Sequence, residues 1–331
     1  MMARPGPRNL ITDVPGLKVG NAQDTGTLTG TTVILANAPA VAACVVAGGG
    51  PGTRETDLLA ADTLVDAVDA IVLSGGSAYG LAAADGVAAA LGAQGRGYGL
   101  MDLPGVPKTP IVPAAILYDL ANGGNKMWGD EPPYRRLDME ALAAADRDFK
   151  IGQAGAGLGA RAGAHAGGLG SASITTSDGI NVGAIVAVNS FGSVMMPGTS
   201  AFWAWPFEQD KEFGGVRPPA DYSLGAEDWG DAKMNPRPGQ NTTIACIATD
   251  VALTPAQARR VAQMALSGFS RAIRPVFAPF DGDALFVLST CRQPMDQPEA
   301  IELTRLGELA ASTLARAIAR GVHEAQGFHA A

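Results

Sequence analysis

Apolar and polar positions along this chain fall into short blocks, and their spacing changes from block to block. Residues 31–48 and 68–74 are apolar runs bounded by glycine turns, which predicts short strands. Between them, ETDLLAADTLVDAVD sets Leu58, Leu59, Leu64, Val65 and Val68 on one face and predicts a helix. SAYGLAAADGVAAALGA, residues 77–93, predicts a second helix, with alanines and glycines suited to close packing. The glycine- and alanine-rich stretch at 151–174 leads into a strand-like run, VGAIVAVNSFGSV; TIACIATDVAL, another, follows after a gap.

That gap, roughly residues 196–241, mixes proline, glycine, charges and three of the four tryptophans without a period, so it predicts a long loop. Trp203, Trp205 and Trp229 could wall a pocket or an oligomer interface. Beyond it, Thr254-Pro255-Ala256-Gln257 has the form of a capping box with proline at the first helical position. Val261, Ala265, Gly268, Phe269 and Ala272 line one face of the helix that follows. FDGDALFVLST predicts a turn and a strand. The last helix, about 298–320, carries Leu306, Leu309, Thr313, Leu314, Ala317 and Ile318 at helical spacing. Strands and helices interleave without repeats, which predicts an α/β or α+β class in a single domain.

Composition narrows the function. Of 331 residues, 47% are hydrophobic and 17% charged, a globular balance, and the net charge of −8 argues against a nucleic-acid partner. The opening MMARPGPRNLITDVPG lacks a secretory apolar core, and no apolar run is long enough to span a bilayer, so a soluble, cytoplasmic protein is expected. Cys44, Cys246 and Cys291 show no metal spacing and read as free thiols. Histidine occurs three times, at His165, His323 and His329, two of them near the C-terminus. A histidine-activated serine or cysteine, or a His/Cys zinc site, is therefore disfavoured. GGGPGT (48–53) and SGGSAYG (74–80) do not match the phosphate-binding pattern G-x-x-x-x-G-K-[ST].

What remains is a hydroxyl that brings its own base. In PGQNTTIACIATD, residues 238–250, Thr242 lies between a polar segment and a strand. A threonine at a new N-terminus has an α-amine of pKa about 7.7–8.0 that can accept the hydroxyl proton near neutrality. Before cleavage the same hydroxyl can attack the preceding carbonyl. Asn241-Thr242-Thr243 also has the form of a glycosylation acceptor, or of an ordinary entry into a strand, and the residues alone leave these readings open.

Seven motifs bear on the choice. NLITDVPGLKVGNAQD (9–24), GGGPGTRETDLL (48–59), DAIVLSGGSAYGLAAADGV (69–87), VPKTPIVPAAILYDL (106–120), GAGLGARAGAHAGGLGSAS (155–173), GQNTTIACIATDVALTPAQ (239–257) and FDGDALFVLST (280–290) occur in one order. Together they resemble the self-processing aminopeptidases, which include L-aminopeptidase/D-amidase-esterases, β-peptidyl aminopeptidases and nylon-oligomer hydrolases. The resemblance implies an α+β fold, an αββα sandwich shared with the ornithine acetyltransferases. It also implies autocleavage into 1–241 and 242–331, homo-oligomers of αβ units with a tetramer favoured, and hydrolysis of small peptides or amides without metal or organic cofactor.

Residue by residue, the resemblance makes Thr242 the nucleophile and Asn241–Thr242 the scissile bond. Asn189 would donate to the oxyanion, Tyr118 would line the pocket, and the loop at Gly75 and Gly76 would offer backbone N–H groups. Asp281 and Asp283 match acidic residues beside the nucleophile, where carboxylates would hold the new ammonium. In one place the sequence departs from the family. Members commonly carry a lysine before GGLGSAS, where this chain has Ala164 and Ala166, leaving Arg161 or His165 as substitutes. An acyltransferase resembling the ornithine acetyltransferases, or an uncleaved binding protein, are the competing expectations.

Overall fold

The structure is a computed structural model that describes residues 3–101, 103–225, 229–233, 241–296 and 298–326. Strands β1 (Leu17–Asp24) and β2 (Thr29–Val46) are followed by the short β3 (Thr53–Arg54), then β4 (Ala67–Ser74) and β5 (Ala114–Ile116). The two-residue pair β6 (Arg161–Ala162) and β7 (His165–Ala166) precedes β8 (Gly168–Thr175), β9 (Asn181–Asn189), β10 (Thr242–Val251) and β11 (Ala284–Gln293). The helices are α1 (Ala83–Ala93), α2 (Tyr134–Ala143), α3 (Pro255–Ala265), α4 (Ser267–Ala272) and α5 (Glu299–Ala325). Hydrogen bonds link the strands in the order β3-β5-β4-β2-β11-β10-β9-β8, with β1 also on β2.

Side-chain alternation sorts these strands into layers. On β10, Ala245 and Ile247 face a core shared with Val261 of α3, Phe269 of α4 and Leu314 of α5. Ile244, Cys246 and Ala248 point the other way, into a core built with Val19, Ile34, Ile71 and Leu73. On β4 the period continues, since Ala70 and Val72 meet Val87 of α1 and Tyr134 of α2. The central strands thus bury both faces, one against helices and one against the opposing strands, which is the expected αββα arrangement. The long β2 joins both sheet halves: it pairs β1 in its first half, β4 on both sides of a register shift between Leu35 and Ala40, and β11 from Val41 to Val46.

The capping box at Thr254 forms as expected: its side chain accepts from the Gln257 N–H, and the Gln257 side chain accepts from the Thr254 N–H. The C-terminal helix runs to Ala325, past the expected end. Glycine brings that helix close to the sheet, because a Cβ on Gly170 would run into the Ala317 carbonyl.

Other expectations change too. The helix predicted in ETDLLAADTLVDAVD is only a 3-10 turn at Asp57–Leu59. Thr63 donates to the Leu58 and Ala60 carbonyls, satisfying the backbone locally, and Leu64 is 76% exposed, so no apolar face forms. GLGSASIT, not foreseen as a strand, is β8. The segment after Met196 is irregular but anchored: Phe202, Ala204 and Phe213 enter the core, and Glu212 pairs with buried Arg316 at 2.5 Å. Cys246 is buried, Cys44 partly so and Cys291 exposed, all three as free thiols. No helix among the described residues is long and apolar enough to cross a membrane. His329 and the segment 234–240 lie outside the described residues.

Candidate active site

Strand direction assembles the site. β10 runs antiparallel to β9 and parallel to β11, so the end of β9 and the starts of β10 and β11 fall at one edge of the sheet. The register pairs Thr242 with Asn189, and a parallel bridge pairs Asn241 with Asp281. Asp283 immediately precedes β11. Three stretches far apart in sequence therefore deliver Asn189, Thr242, Asp281 and Asp283 to one place.

Thr242 is 3% exposed, and its hydroxyl donates to the carbonyl oxygen of Asn241. The Gly282 N–H donates to the same oxygen at 3.2 Å. Glycine is required there on steric grounds, because a Cβ on Gly282 would lie 2.7 Å from Thr242 Oγ1 and 2.8 Å from the Gly50 carbonyl oxygen. The GGGPGT run serves the same packing. A Cβ on Gly48 would meet the Asp281 carbonyl, and one on Gly49 the Pro279 carbonyl, so backbone lies directly on backbone around the FDGD turn.

Both aspartates are buried and partly satisfied by N–H donors. Asp283 accepts from Thr243 at 2.7 Å and Phe277 at 3.2 Å, and Asp281 from Ala278 at 3.4 Å. Burial raises both carboxyls above the ordinary carboxylate range, and the neighbouring Asp281 charge raises Asp283 further. The orphaned atoms Asn241 Nδ2 and Oδ1, Thr243 Oγ1 and Asp281 Oδ1 concentrate around the Asn241–Thr242 bond. Buried polar groups left unpaired cost roughly 1–3 kcal/mol each, so stability alone does not account for their gathering here.

The Asn189 carboxamide is held on both sides. Its Nδ2 donates to the Tyr118 carbonyl at 2.9 Å, and its Oδ1 accepts from the Arg161 N–H at 3.0 Å. Tyr118 thus meets Asn189 through its backbone. The Gly75 N–H donates to the Gly30 carbonyl and the Gly76 N–H to Asp119, so in this arrangement both donors offered by the glycine loop are engaged within the protein. Asp119, also bonded to Thr29 at 2.5 Å, fastens that loop; burial raises its pKa. Gly76, at φ +91°, has Tyr134 packed where a Cβ would go.

Neither expected substitute for the missing lysine turns its side chain inward. The Arg161 guanidinium donates to the Ala164 carbonyl at the surface, and His165 meets Asp231 at 3.3 Å. Instead Lys233, from the long loop, places Nζ 3.0 Å from the Asn189 carbonyl oxygen and 3.3 Å from its Oδ1. Burial pulls its pKa down to about 7, opposed by the charges of Asp281 and Asp283. Lys233 and Gly282 were missed from sequence. Lys233 lies in a segment without periodicity, and FDGD on its own reads as a turn; the signal available was a glycine wedged between two acids. Among the described residues, no group of three or more His, Cys, Asp or Glu is placed to hold a metal ion.

Known proteins share this arrangement of sequence and fold. The model of peptidase family S58 matches residues 9–331. An uncharacterized aminopeptidase of Mycobacterium tuberculosis is 41% identical over 335 residues, covering 96% of this chain and 94% of its own. A 6-aminohexanoate-oligomer endohydrolase of a Kocuria strain is 30% identical over 301 residues, covering 86% of this chain and 76% of its own. In fold, a Burkholderia β-aminopeptidase superposes with a TM-score of 0.69 at 22% identity, covering 97% of this chain and 88% of its own. An L-aminopeptidase D-Ala-esterase/amidase of Ochrobactrum anthropi, described as a variant of the Ntn hydrolase fold, gives 0.67 at 20% identity, covering 97% and 87%. The chain belongs to peptidase family S58, and it is a hydrolase of the peptidase and amidase type.

Proposed function

We propose that this protein cuts itself at Asn241–Thr242 and then hydrolyses small peptides or amides through Thr242. The observation that carries the reading is the Thr242 hydroxyl resting on the carbonyl of its own preceding peptide bond, with the Gly282 N–H on the same oxygen. Attack of Oγ1 on the Asn241 carbonyl carbon gives a tetrahedral oxyanion facing the Gly282 N–H. Its collapse breaks the C–N bond, and the proton lost by the hydroxyl ends on the departing nitrogen. Water then hydrolyses the ester, leaving the Asn241 carboxylate and the free amine of Thr242.

In turnover that amine takes the hydroxyl proton as Oγ1 attacks a substrate amide, and returns it to the leaving amine. Water releases the acyl group. Asp281 and Asp283, buried beside the new terminus, would hold the ammonium form and set its pKa. The names of the relatives favour substrates with a free amino end or ω-amino acid oligomers. The test is release of amine from short peptide amides and from 6-aminohexanoate oligomers by wild type and Thr242→Ala. The reading expects turnover by wild type alone; an active Thr242→Ala protein would sink it.

A further inference from the structure

We infer that Lys233 is a positioning residue of this site: its ammonium, delivered by the long loop between β9 and β10, fixes the Asn189 carboxamide and sets a positive charge beside Asp281 and Asp283. The inference rests on the reading under Proposed function and adds a part of the site that comes from outside the sheet. Two donors, the Arg161 N–H and Lys233 Nζ, converge on Asn189 Oδ1, and one acceptor, the Tyr118 carbonyl, faces Nδ2. Rotating the carboxamide by half a turn would set donors against donors and an oxygen against a carbonyl, so one orientation survives. Lys233 strengthens the lock by reaching the Asn189 backbone carbonyl as well, a charge-assisted pair of contacts from one ammonium.

Residues of the loop before Lys233 hold it in place. The Lys233 N–H donates to the Phe191 carbonyl at 2.9 Å, and the Asp231 carbonyl accepts from Ala164 at 2.7 Å. Trp229 meets Phe191 edge-on, with ring centroids 6.0 Å apart. Cleavage at Asn241–Thr242 leaves all of these contacts on one chain, so the lysine serves self-cleavage and later turnover alike. Two buried carboxylates side by side are costly, and the lysine charge acts on both of them. The ammonium therefore does here what neither Arg161 nor His165 is placed to do.

The experiment compares wild type with Lys233→Met, Lys233→Gln and Lys233→Arg. It follows appearance of the Thr242 terminus by mass, kcat and KM on a short peptide amide, and melting temperature. Lys233→Met is expected to slow processing and lower kcat by about 100-fold, with KM within about threefold of wild type. Lys233→Arg, which keeps the charge and the donors, is expected to recover to within about tenfold of wild type. Should Lys233→Met fail to fold, Lys233→Gln keeps a donor without the charge and is expected to show the same loss of kcat at an unchanged melting temperature. A Lys233→Met or Lys233→Gln protein that matches wild type in processing and turnover overturns the inference. So does equal impairment of the Met and Arg variants, which would mark mere packing. A wild-type protein that stays whole and inert fails the reading of Thr242 itself and takes the lysine's role with it. An active wild type beside an equally active Lys233→Met fails the lysine alone.

Discussion

The backbone N–H of Gly282 points at the carbonyl oxygen of Asn241, 3.2 Å away, so the turn that leads into β11 grips the peptide unit that leads into β10. The same oxygen accepts from the Thr242 hydroxyl. The Gly282 N–H polarises that carbonyl and stands where negative charge would develop if Oγ1 attacked; the hydroxyl, as the attacking group, only sets the approach.

Gly282→Ala tests that grip. The new methyl would press on Thr242 Oγ1 and the Gly50 carbonyl, and packing conflicts of this kind cost about 1–3 kcal/mol. The variant is expected to fold with a lowered melting temperature and to process at least about 10-fold more slowly than wild type, from loss of alignment. Processing at the wild-type rate would show that this geometry is not used.

Asn189→Ala removes the carboxamide that links Tyr118, Arg161 and Lys233. If the amide meets the oxyanion during turnover, kcat should fall by about 10²–10³, the usual effect of losing one such donor. Steady-state kinetics on a short peptide amide measures it. A drop confined to KM would assign Asn189 to substrate binding instead.

If Asp281 and Asp283 serve turnover as proposed, kcat/KM should show an acidic limb above the ordinary carboxylate range, because burial raises both. Asp281→Asn removes the neighbouring charge that raises Asp283, so the limb remaining in that variant should move to lower pH. A pH profile of kcat/KM on both proteins decides the matter. A limb that stays in place would mean that the two carboxyls do not sense each other.

Asp138 gives a stability test away from the site. It is buried under α1, with Oδ2 accepting from the Val87 N–H at 2.8 Å and Oδ1 unpartnered. Burial raises its folded pKa to about 7, so its stabilising contribution is complete below the unfolded pKa and is lost as pH rises through the folded one. Asp138→Asn has no such loss. Its stability relative to wild type should rise between pH 4 and 8, on the order of 1–3 kcal/mol, seen as a rising difference in melting temperature. A difference that is flat with pH would refute the assignment.

Much of this was legible in the sequence. The capping box at Thr254, the apolar face of α5 and the strand entered at Thr242 follow from local patterns that tertiary packing reinforced. The helix expected over ETDLLAADTLVDAVD failed because its apolar positions do not share one face: Leu64 faces water while Val68 is buried as part of β4. The roles of Gly48 and Gly49 were hidden, since close approach to Asp281 and Pro279 is a property of the fold and not of the run of glycines. Lys233 was hidden for the same reason. Nothing local distinguishes a lysine that turns inward from one that stays in water, and the contact with Asn189 spans 44 residues.

Everything proposed for the site depends on Thr242 acting as a nucleophile that frees itself. Intact mass of the purified protein under denaturing conditions, with N-terminal sequencing of any smaller chain, tests it most directly. Wild type should give two chains, the smaller one beginning TTIACIATD at Thr242, and Thr242→Ala a single uncut chain. A wild-type chain that remains whole from Met1 to Ala331 over days at neutral pH would contradict it.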